Sequence, residues 1–214
     1  NLTASIAYRA YVQNAVCPAL FSNTVTINVV QPVTLANAGA DQQLCNVTAT
    51  TLAANTPTSG TGKWTAAATN PSTVSFTNPV NPNTTVNGLT AGTYLFIWTI
   101  SNALCADSKD TVQVTVYPPT VAGSLTADAT VCATANSGTL SLTGYVSSIL
   151  RWESSLNNGA SWNAIANTNN TYTYNNLTAS IAYRAYVQNA VCPALFSNTV
   201  TINVVQPVTL ANAG

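Results

Sequence analysis

An internal repeat constrains this chain more than any other feature of its sequence. The stretch Asn1–Gly39, NLTASIAYRAYVQNAVCPALFSNTVTINVVQPVTLANAG, recurs letter for letter as Asn176–Gly214. A shared fold alone does not explain an identity without one substitution, because the surface positions of a domain tolerate many residue types. The sequence therefore predicts that a unit as long as Asn1–Asn175 is duplicated in tandem.

The composition is typical of a β protein with a packed core. Charged residues make up only 5% of the chain and cancel to zero net charge, whereas apolar residues make up 47%. The apolar residues fall in short alternating runs bounded by clusters of Gly, Pro and Asn, which is the pattern of strands and turns. A neutral chain is a poor partner for nucleic acid or anionic lipid. No apolar run reaches the roughly 18 residues that a membrane-spanning helix needs, so we expect no direct membrane insertion by this segment.

Each period divides into two halves that carry the same landmarks in the same order. The landmarks are Cys45, Trp64, Leu89, Tyr94 and Cys105 in the first half, and Cys132, Trp152, Leu177, Tyr183 and Cys192 in the second. We predict one antiparallel sandwich over 31–117 and a second over 118–205. Residues 1–30 are then the last strands of a second-type sandwich from the preceding repeat, and 206–214 begin the next repeat.

Local patterns support strands and tight turns in both halves. Val112, Val114 and Val116 alternate with polar residues, which predicts a strand with one buried face. The dipeptide Asn158-Gly159 separates two short apolar stretches, and Asn-Gly favours the positive φ angles of a hairpin turn. No stretch keeps a helical apolar period, so we predict essentially no helix.

Two stretches carry a family resemblance. Leu89–Tyr94, LTAGTY, resembles the turn into the sixth strand of polycystic-kidney-disease-type (PKD-like) domains. Leu177–Tyr183, LTASIAY, resembles the tyrosine corner of fibronectin type III and immunoglobulin-like domains, where the Tyr hydroxyl bonds the upstream backbone. The phrases GTYLFIWTISNALC and LRWESSLNNGASWNAIANT are similar to repeats in large surface proteins of Bacteroidota, the gliding-adhesin and type IX-secreted class.

The resemblance implies an all-β fold of tandem immunoglobulin-like antiparallel β-sandwiches, two in each 175-residue repeat. It also implies an extracellular or cell-surface location. The core and fold residues that it indicates are Trp64, Tyr94, Trp152 and Tyr183. The two tryptophans fall on the third-strand position, where a buried indole packs between the sheets.

The cysteines of one period come in two pairs with equal spacing: Cys45 with Cys105, and Cys132 with Cys192. An even number at matched spacing in an extracellular chain favours disulfides. We predict these two pairings because they close each half on itself and repeat one geometry. A zinc site is disfavoured because the chain has no His and no closely spaced Cys pair. Cys17 is the repeat copy of Cys192.

The residue types of common catalytic sites are scarce. The absence of His removes the usual Ser-His and Cys-His systems. Glu153, the one glutamate, is predicted to lie on a solvated strand face, and Asp107 and Asp110 fit a polar hairpin tip better than a calcium loop. We therefore predict that the chain is not an enzyme, and that it has no catalytic, cofactor-binding or metal-binding residues.

Three aromatic residues of the second half, Trp162, Tyr172 and Tyr174, have no counterpart in the first half. They are candidates for a ligand-facing surface, because flat exposed rings stack on sugars. Packing in the core or across strands is the alternative, and the sequence favours it.

The function that these observations favour is structural. We expect a repeat unit of an extracellular filament, stalk or surface-adhesin array, whose partners are copies of itself and, as a second class, glycans. The short proline-bearing junctions at Pro118-Pro119 and Pro207 favour stiff connections. A ligand-binding adhesin module that recognises polysaccharide or another cell surface is the alternative, and an accessory domain of an enzyme fits less well.

Overall fold

The computed structural model describes residues 2–126, 128–133 and 135–208, and these residues form twenty β-strands and no helix. The chain divides into two compact units. The first takes in the chain up to Gln42 with Thr48–Leu89 and Thr93–Val114, and the second takes in Gln43–Val47, Thr90–Gly92 and the chain from Thr115 onward. The prediction of an all-β fold of antiparallel sandwiches is confirmed.

Residues 2–30 form a small antiparallel hairpin system. Its strands are β1 (Ile6–Tyr8), β2 (Tyr11–Val12), β3 (Leu20–Phe21) and β4 (Val25–Ile27). β1 pairs with β4 and β2 pairs with β3. All the residues of these four strands are exposed, so the hairpin has no core of its own.

Two sheets form the first sandwich. Its strands are β5 (Gln42–Cys45), β6 (Ala49–Thr51), β7 (Thr61–Ala66), β8 (Ser75–Phe76), β9 (Thr85–Asn87), β10 (Gly92–Ser101) and β11 (Ser108–Tyr117). One sheet has the order β5-β11-β10-β7 and the other the order β6-β9-β8.

Alternation along the two longest strands builds the core of the first sandwich. The buried side chains of β10 and β11 are Tyr94, Phe96, Trp98, Ile100, Val112, Val114 and Val116. Trp64 of β7 lies directly opposite Trp98 in the register, and their ring centroids are 5.1 Å apart. Such an aromatic pair contributes about 1 kcal/mol beyond the area that it buries.

Tyr94 is tied to the backbone of the turn that precedes its strand. The Ser72 hydroxyl donates to the Gly88 carbonyl at 2.6 Å, so the Tyr94 hydroxyl donates to Ser72 Oγ at 2.7 Å. The Ser72 hydroxyl thus bridges the Tyr94 hydroxyl and the Gly88 carbonyl, which is six residues upstream of Tyr94.

The described residues of the second sandwich form nine strands. They are β12 (Ser124–Leu125), β13 (Ala129–Cys132), β14 (Ser137–Thr143), β15 (Ser148–Ser155), β16 (Asn163–Ile165), β17 (Thr171–Asn175), β18 (Ile181–Gln188), β19 (Leu195–Phe196) and β20 (Val200–Val205). One sheet has the order β12-β14-β17, and the other the order β13-β20-β18-β15-β16 with β19 beside β18. β13 runs parallel to β20, so the sheet is not purely antiparallel.

The two sandwiches anchor their buried tryptophans in the same way. Trp152 Nε1 donates to the Asn169 carbonyl at 2.9 Å, as Trp64 Nε1 donates to the Pro82 carbonyl at 3.1 Å. Tyr183 is also buried, and its ring centroid lies 5.2 Å from that of Tyr172.

The hairpin turn predicted at Asn158-Gly159 has the expected backbone. Their φ angles are 55° and 88°, the left-handed values that Asn and Gly tolerate best. The sequence did not predict β5, because its residues do not alternate. Cys45 is the last residue of β5.

Candidate functional site

A disulfide joins Cys45, at the end of β5, to Cys192, in the loop between β18 and β19. The two Cα atoms are 5.0 Å apart, and the sequence separation is 147 residues. Both cysteines belong to the second compact unit, because Gln43–Val47 group with that unit. Cys192 is fully buried.

This bond corrects the predicted pairing of Cys45 with Cys105 and of Cys132 with Cys192. The Asn46 amide donates to the carbonyl of Tyr117, the last residue of β11. Cys45 therefore lies beside the C-terminal end of β11. Cys105 lies in the loop that leads into β11 at the other end. A ten-residue strand is about 30 Å long, whereas a disulfide needs Cα atoms within about 7 Å. The two cysteines of the first half are therefore too far apart to bond.

Three cysteines are free in the described chain: Cys17, Cys105 and Cys132. Cys17 and Cys132 are exposed, and Cys105 is half-buried. Exposed thiols remain available for bonds to other chains or segments.

A buried ion-pair cluster lies on β15 and β18. Glu153 forms an ion pair through each of its carboxylate oxygens. Oε1 lies 2.7 Å from Arg151 Nη2, and Oε2 lies 2.7 Å from Arg184 Nη2. Glu153 and Arg184 are direct cross-strand neighbours, and only 5% of Glu153 is exposed. The prediction of a solvated Glu153 is therefore wrong.

Aromatic rings cover this cluster and explain its burial. The Arg184 guanidinium carbon is 4.0 Å from the Trp162 ring centroid and 3.6 Å from that of Phe196. Arg151 lies 4.4 Å from the ring centroid of Tyr186, and Tyr186 stacks on Phe196 at 4.5 Å. Cation–π contacts of this kind contribute about 0.5–1 kcal/mol each at exposed sites. The arrangement shields the carboxylate from water without removing its counter-charges.

The environment of Glu153 contains opposing effects on its pKa. Burial alone would raise the pKa, but the hydrogen bonds from Arg184 and Arg151 and their positive charges outweigh it and hold the pKa below the usual value of 4.5. A carboxyl with a lowered pKa stabilises the fold at pH values above its unfolded pKa. That contribution is lost as the pH falls through the folded pKa.

We expect Glu153→Gln to lower the free energy of unfolding by about 3 kcal/mol at pH 7, because two guanidinium groups lose their counter-charge. This loss of stability lies at the low end of the range for breaking a buried ion pair, since the Arg151 and Arg184 side chains remain 37% and 21% exposed. Urea denaturation at pH 7 and pH 3 measures it, and the difference between variant and parent should shrink at pH 3.

Asp107→Asn is the matched control, because Asp107 is an exposed carboxyl and should leave stability within about 0.5 kcal/mol. A Glu153→Gln protein as stable as this control would contradict the assigned role of the cluster.

The three candidate ligand-facing residues separate into two groups. Tyr174 is buried, and Tyr172 packs against Trp152 and Tyr183 at ring-centroid distances of 5.8 and 5.2 Å. Both lie on the inward face of β17, where alternate residues point to the core, so they are not ligand-facing. Trp162 is partly exposed.

The hairpin of the first thirty residues repeats the geometry of the second copy. The pairing of Ala7 with Thr26 matches that of Ala182 with Thr201. Four apolar side chains of the second copy are at most 2% exposed: Tyr183, Val187, Val200 and Ile202. Their counterparts Tyr8, Val12, Val25 and Ile27 are 49%, 63%, 58% and 44% exposed.

We call the exposed face formed by Tyr8, Val12, Val25 and Ile27 the open hairpin face. It is a sandwich core face without the opposing sheet. Its backbone is already arranged as in the completed sandwich: the Ala10 amide donates to Ser22 Oγ at 2.8 Å, as the Ala185 amide donates to Ser197 Oγ at 2.9 Å.

Neither a metal cluster nor a membrane-spanning helix occurs in the described part of the chain. Among these residues, no group of three or more Cys, Asp or Glu side chains lies close enough to hold a metal ion. None of them forms a helix that could cross a membrane.

Comparison with known proteins identifies the fold. The family "Domain of unknown function (DUF8696)" matches residues 121–206. An I-band fragment of titin is 13% identical with a TM-score of 0.55, covering 84% of this chain and 68% of the fragment. Murine CEACAM1b is 18% identical with a TM-score of 0.50, covering 81% of this chain and all of that chain, 100%.

The PKD domain from KIAA 1837 protein is 30% identical over 39% of this chain and 85% of that domain, with a TM-score of 0.34. No curated protein matches the sequence at a significant level. The likeness to titin and CEACAM1b shows that the fold is immunoglobulin-like.

Proposed function

We propose that this chain is a structural repeat unit of an extracellular filament, stalk or surface-adhesin array built from tandem β-sandwiches. The observation that carries the proposal is the open hairpin face, which is identical in sequence and register to a face that the second sandwich buries. An isolated hairpin of this size is at best marginally stable in water, so its apolar face needs a cover.

The cover that fits this face is present in the same sequence. In the second sandwich, the identical hairpin packs against side chains from the segment 118–175, among them Leu140, Leu142 and Trp152. We infer that the equivalent segment of another copy covers the open hairpin face, which is the arrangement of a tandem array. Copies of the chain are then its main partners, and the sandwich boundaries at 31–117 and 118–205 remain predictions.

Two observations support an extracellular location. A disulfide between Cys45 and Cys192 forms in an oxidising compartment. The sequence phrases that resemble Bacteroidota surface repeats favour the cell-surface, type IX-secreted class within that location. A non-catalytic role agrees with both, since the acidic residue that burial singles out, Glu153, is used in an ion-pair cluster.

The ligand-binding alternative now depends on a single ring. Tyr172 and Tyr174 pack inward, and the Trp162 ring is stacked by Arg184. Since two of the three candidate rings pack inward, the structural role is favoured over recognition of a polysaccharide.

Immunoelectron microscopy of intact cells tests the proposal, with antibodies raised against the folded chain. We expect label along thin surface filaments at a constant spacing, and loss of those filaments when the gene is deleted. Label confined to the cell interior, or filaments that persist after deletion, would overturn the proposed function.

A further inference from the structure

We propose that Cys132 forms a disulfide with Cys105 of the next copy of the repeat, so that consecutive copies in the array are joined covalently. The inference rests on the tandem array of the proposed function. It starts from the bond between Cys45 and Cys192, whose two environments recur at the free cysteines Cys132 and Cys105.

The first environment is the end of an edge strand. Cys45 is the last residue of β5, and the next amide, that of Asn46, donates to the Tyr117 carbonyl at 2.9 Å. Cys132 is the last residue of β13, and the next amide, that of Ala133, donates to the Val205 carbonyl at 3.0 Å. Cys132 therefore occupies, in the second sandwich, the position that Cys45 occupies in the bond.

The second environment is a loop beside the entry of the chain into a sandwich. Cys192 Sγ lies 3.2 Å from the Pro118 carbonyl oxygen, and the side-chain amide of the asparagine three residues earlier donates to that oxygen at 2.7 Å. Cys105 Sγ lies 3.6 Å from the Gln31 carbonyl oxygen, and the asparagine three residues before it donates there at 2.9 Å. Cys105 is thus placed like Cys192.

The repeat brings these two environments together at one peptide bond. In the observed bond, Tyr117 lies beside Cys45 and the next residue, Pro118, lies beside Cys192. In an array, Val205 lies beside Cys132, and the next residue, Gln206, is the sequence copy of Gln31.

In this chain, Gln31 lies beside Cys105. Since Gln206 is the copy of Gln31 that begins the next repeat, Cys105 of the next copy would lie beside Gln206. Cys132 and that cysteine therefore flank the peptide bond 205–206 as the bonded pair flanks 117–118. A disulfide forms only where the two Cα atoms come within about 7 Å. Cysteines that flank the peptide bond 117–118 in this way have Cα atoms 5.0 Å apart, so the same arrangement around 205–206 allows a bond.

The chemistry is an ordinary thiol oxidation. The two thiols lose two protons and two electrons as the S–S bond forms, and a disulfide-bearing oxidant, such as a thiol–disulfide oxidoreductase, accepts the electrons and is reduced to a dithiol. Cys132 is exposed and Cys105 is half-buried, so both are reachable. By the same rule, Cys17 pairs with the counterpart of Cys45 in the preceding copy, and every cysteine of the array has a partner.

Disulfide mapping of a two-copy protein tests the inference. This protein is the full chain followed by a second copy of residues 40–214, which adds four cysteines to the five present. Purified under oxidising conditions and digested without reduction, it should yield a peptide pair linking Cys132 of the first copy to Cys105 of the second. It should retain three free thiols; without the new bond it would retain five.

Matched variants separate this bond from incidental oxidation. Cys105→Ser in the second copy should remove the linked peptide pair and leave Cys132 free, whereas Cys105→Ser in the first copy should leave the pair intact. Five free thiols, or Cys132 linked to any other cysteine, would overturn the inference.

The outcome is distinguishable from that of the microscopy. If the bond forms but no surface filament is seen, the proposed function fails and the covalent junction stands. If filaments are seen and the bond is absent, the junction fails and the function stands.

Discussion

Cys45→Ser is expected to lower the free energy of unfolding by about 5 kcal/mol, the largest expected effect of a single substitution in this chain. The sequence separation of the bonded cysteines is 147 residues, and the entropy that such a cross-link removes from the unfolded chain grows with the logarithm of loop length. The serine also leaves the fully buried Cys192 without its partner. Guanidinium denaturation under non-reducing conditions measures the change.

Cys17→Ser is the control for this experiment, because Cys17 is exposed and free in the chain. It should match the parent, and all three proteins should converge when a reductant is added. If Cys45→Ser and Cys17→Ser unfold at the same denaturant concentration without reductant, the bond between Cys45 and Cys192 does not stabilise the protein.

Trp152→Ala is expected to cost about 3–5 kcal/mol of stability, as for other large aromatic residues deleted from a core. The indole is fully buried, packs against Tyr172 and donates to the Asn169 carbonyl. The alanine variant therefore leaves a cavity and also removes a hydrogen bond.

Trp162→Ala is the matched control for Trp152→Ala. Trp162 is the other tryptophan of the second sandwich, but it is partly exposed and its ring packs on the Arg184 guanidinium. Its removal should cost about 1 kcal/mol. Hydrogen–deuterium exchange of β18 should show strong loss of protection for Trp152→Ala and little for Trp162→Ala. Equal losses would contradict the placement of Trp152 at the centre of this core.

Much of the fold could be predicted from local pattern. The alternation of Val112, Val114 and Val116 predicted one buried face of β11, because side chains of a strand point to opposite faces in turn. Asn158-Gly159 predicted its hairpin because few other residues adopt two successive positive φ angles. Strands without such signals, such as β5, escaped prediction since their pairing partners lie far away in sequence.

Sequence reasoning missed most of the ion-pair cluster. Arg151 and Glu153 are two apart on one strand and so share a face, which was a usable signal. Arg184 is 31 residues away from Glu153, and its position opposite that carboxylate depends on the register of β15 with β18. Without that register, Glu153 reads as a lone surface carboxylate.

The sequence by itself determined that this chain is all-β and carries an exact internal repeat, since the two-residue periodicity and the identity of Asn1–Gly39 with Asn176–Gly214 are properties of the chain alone. Only the tertiary structure decided the disulfide partners. Equal spacing of Cys45, Cys105, Cys132 and Cys192 shows that the halves correspond, but a bond depends on distance in space. β11 holds Cys45 and Cys105 at its opposite ends, so Cys45 bonds instead to Cys192, in a loop 147 residues further along the chain.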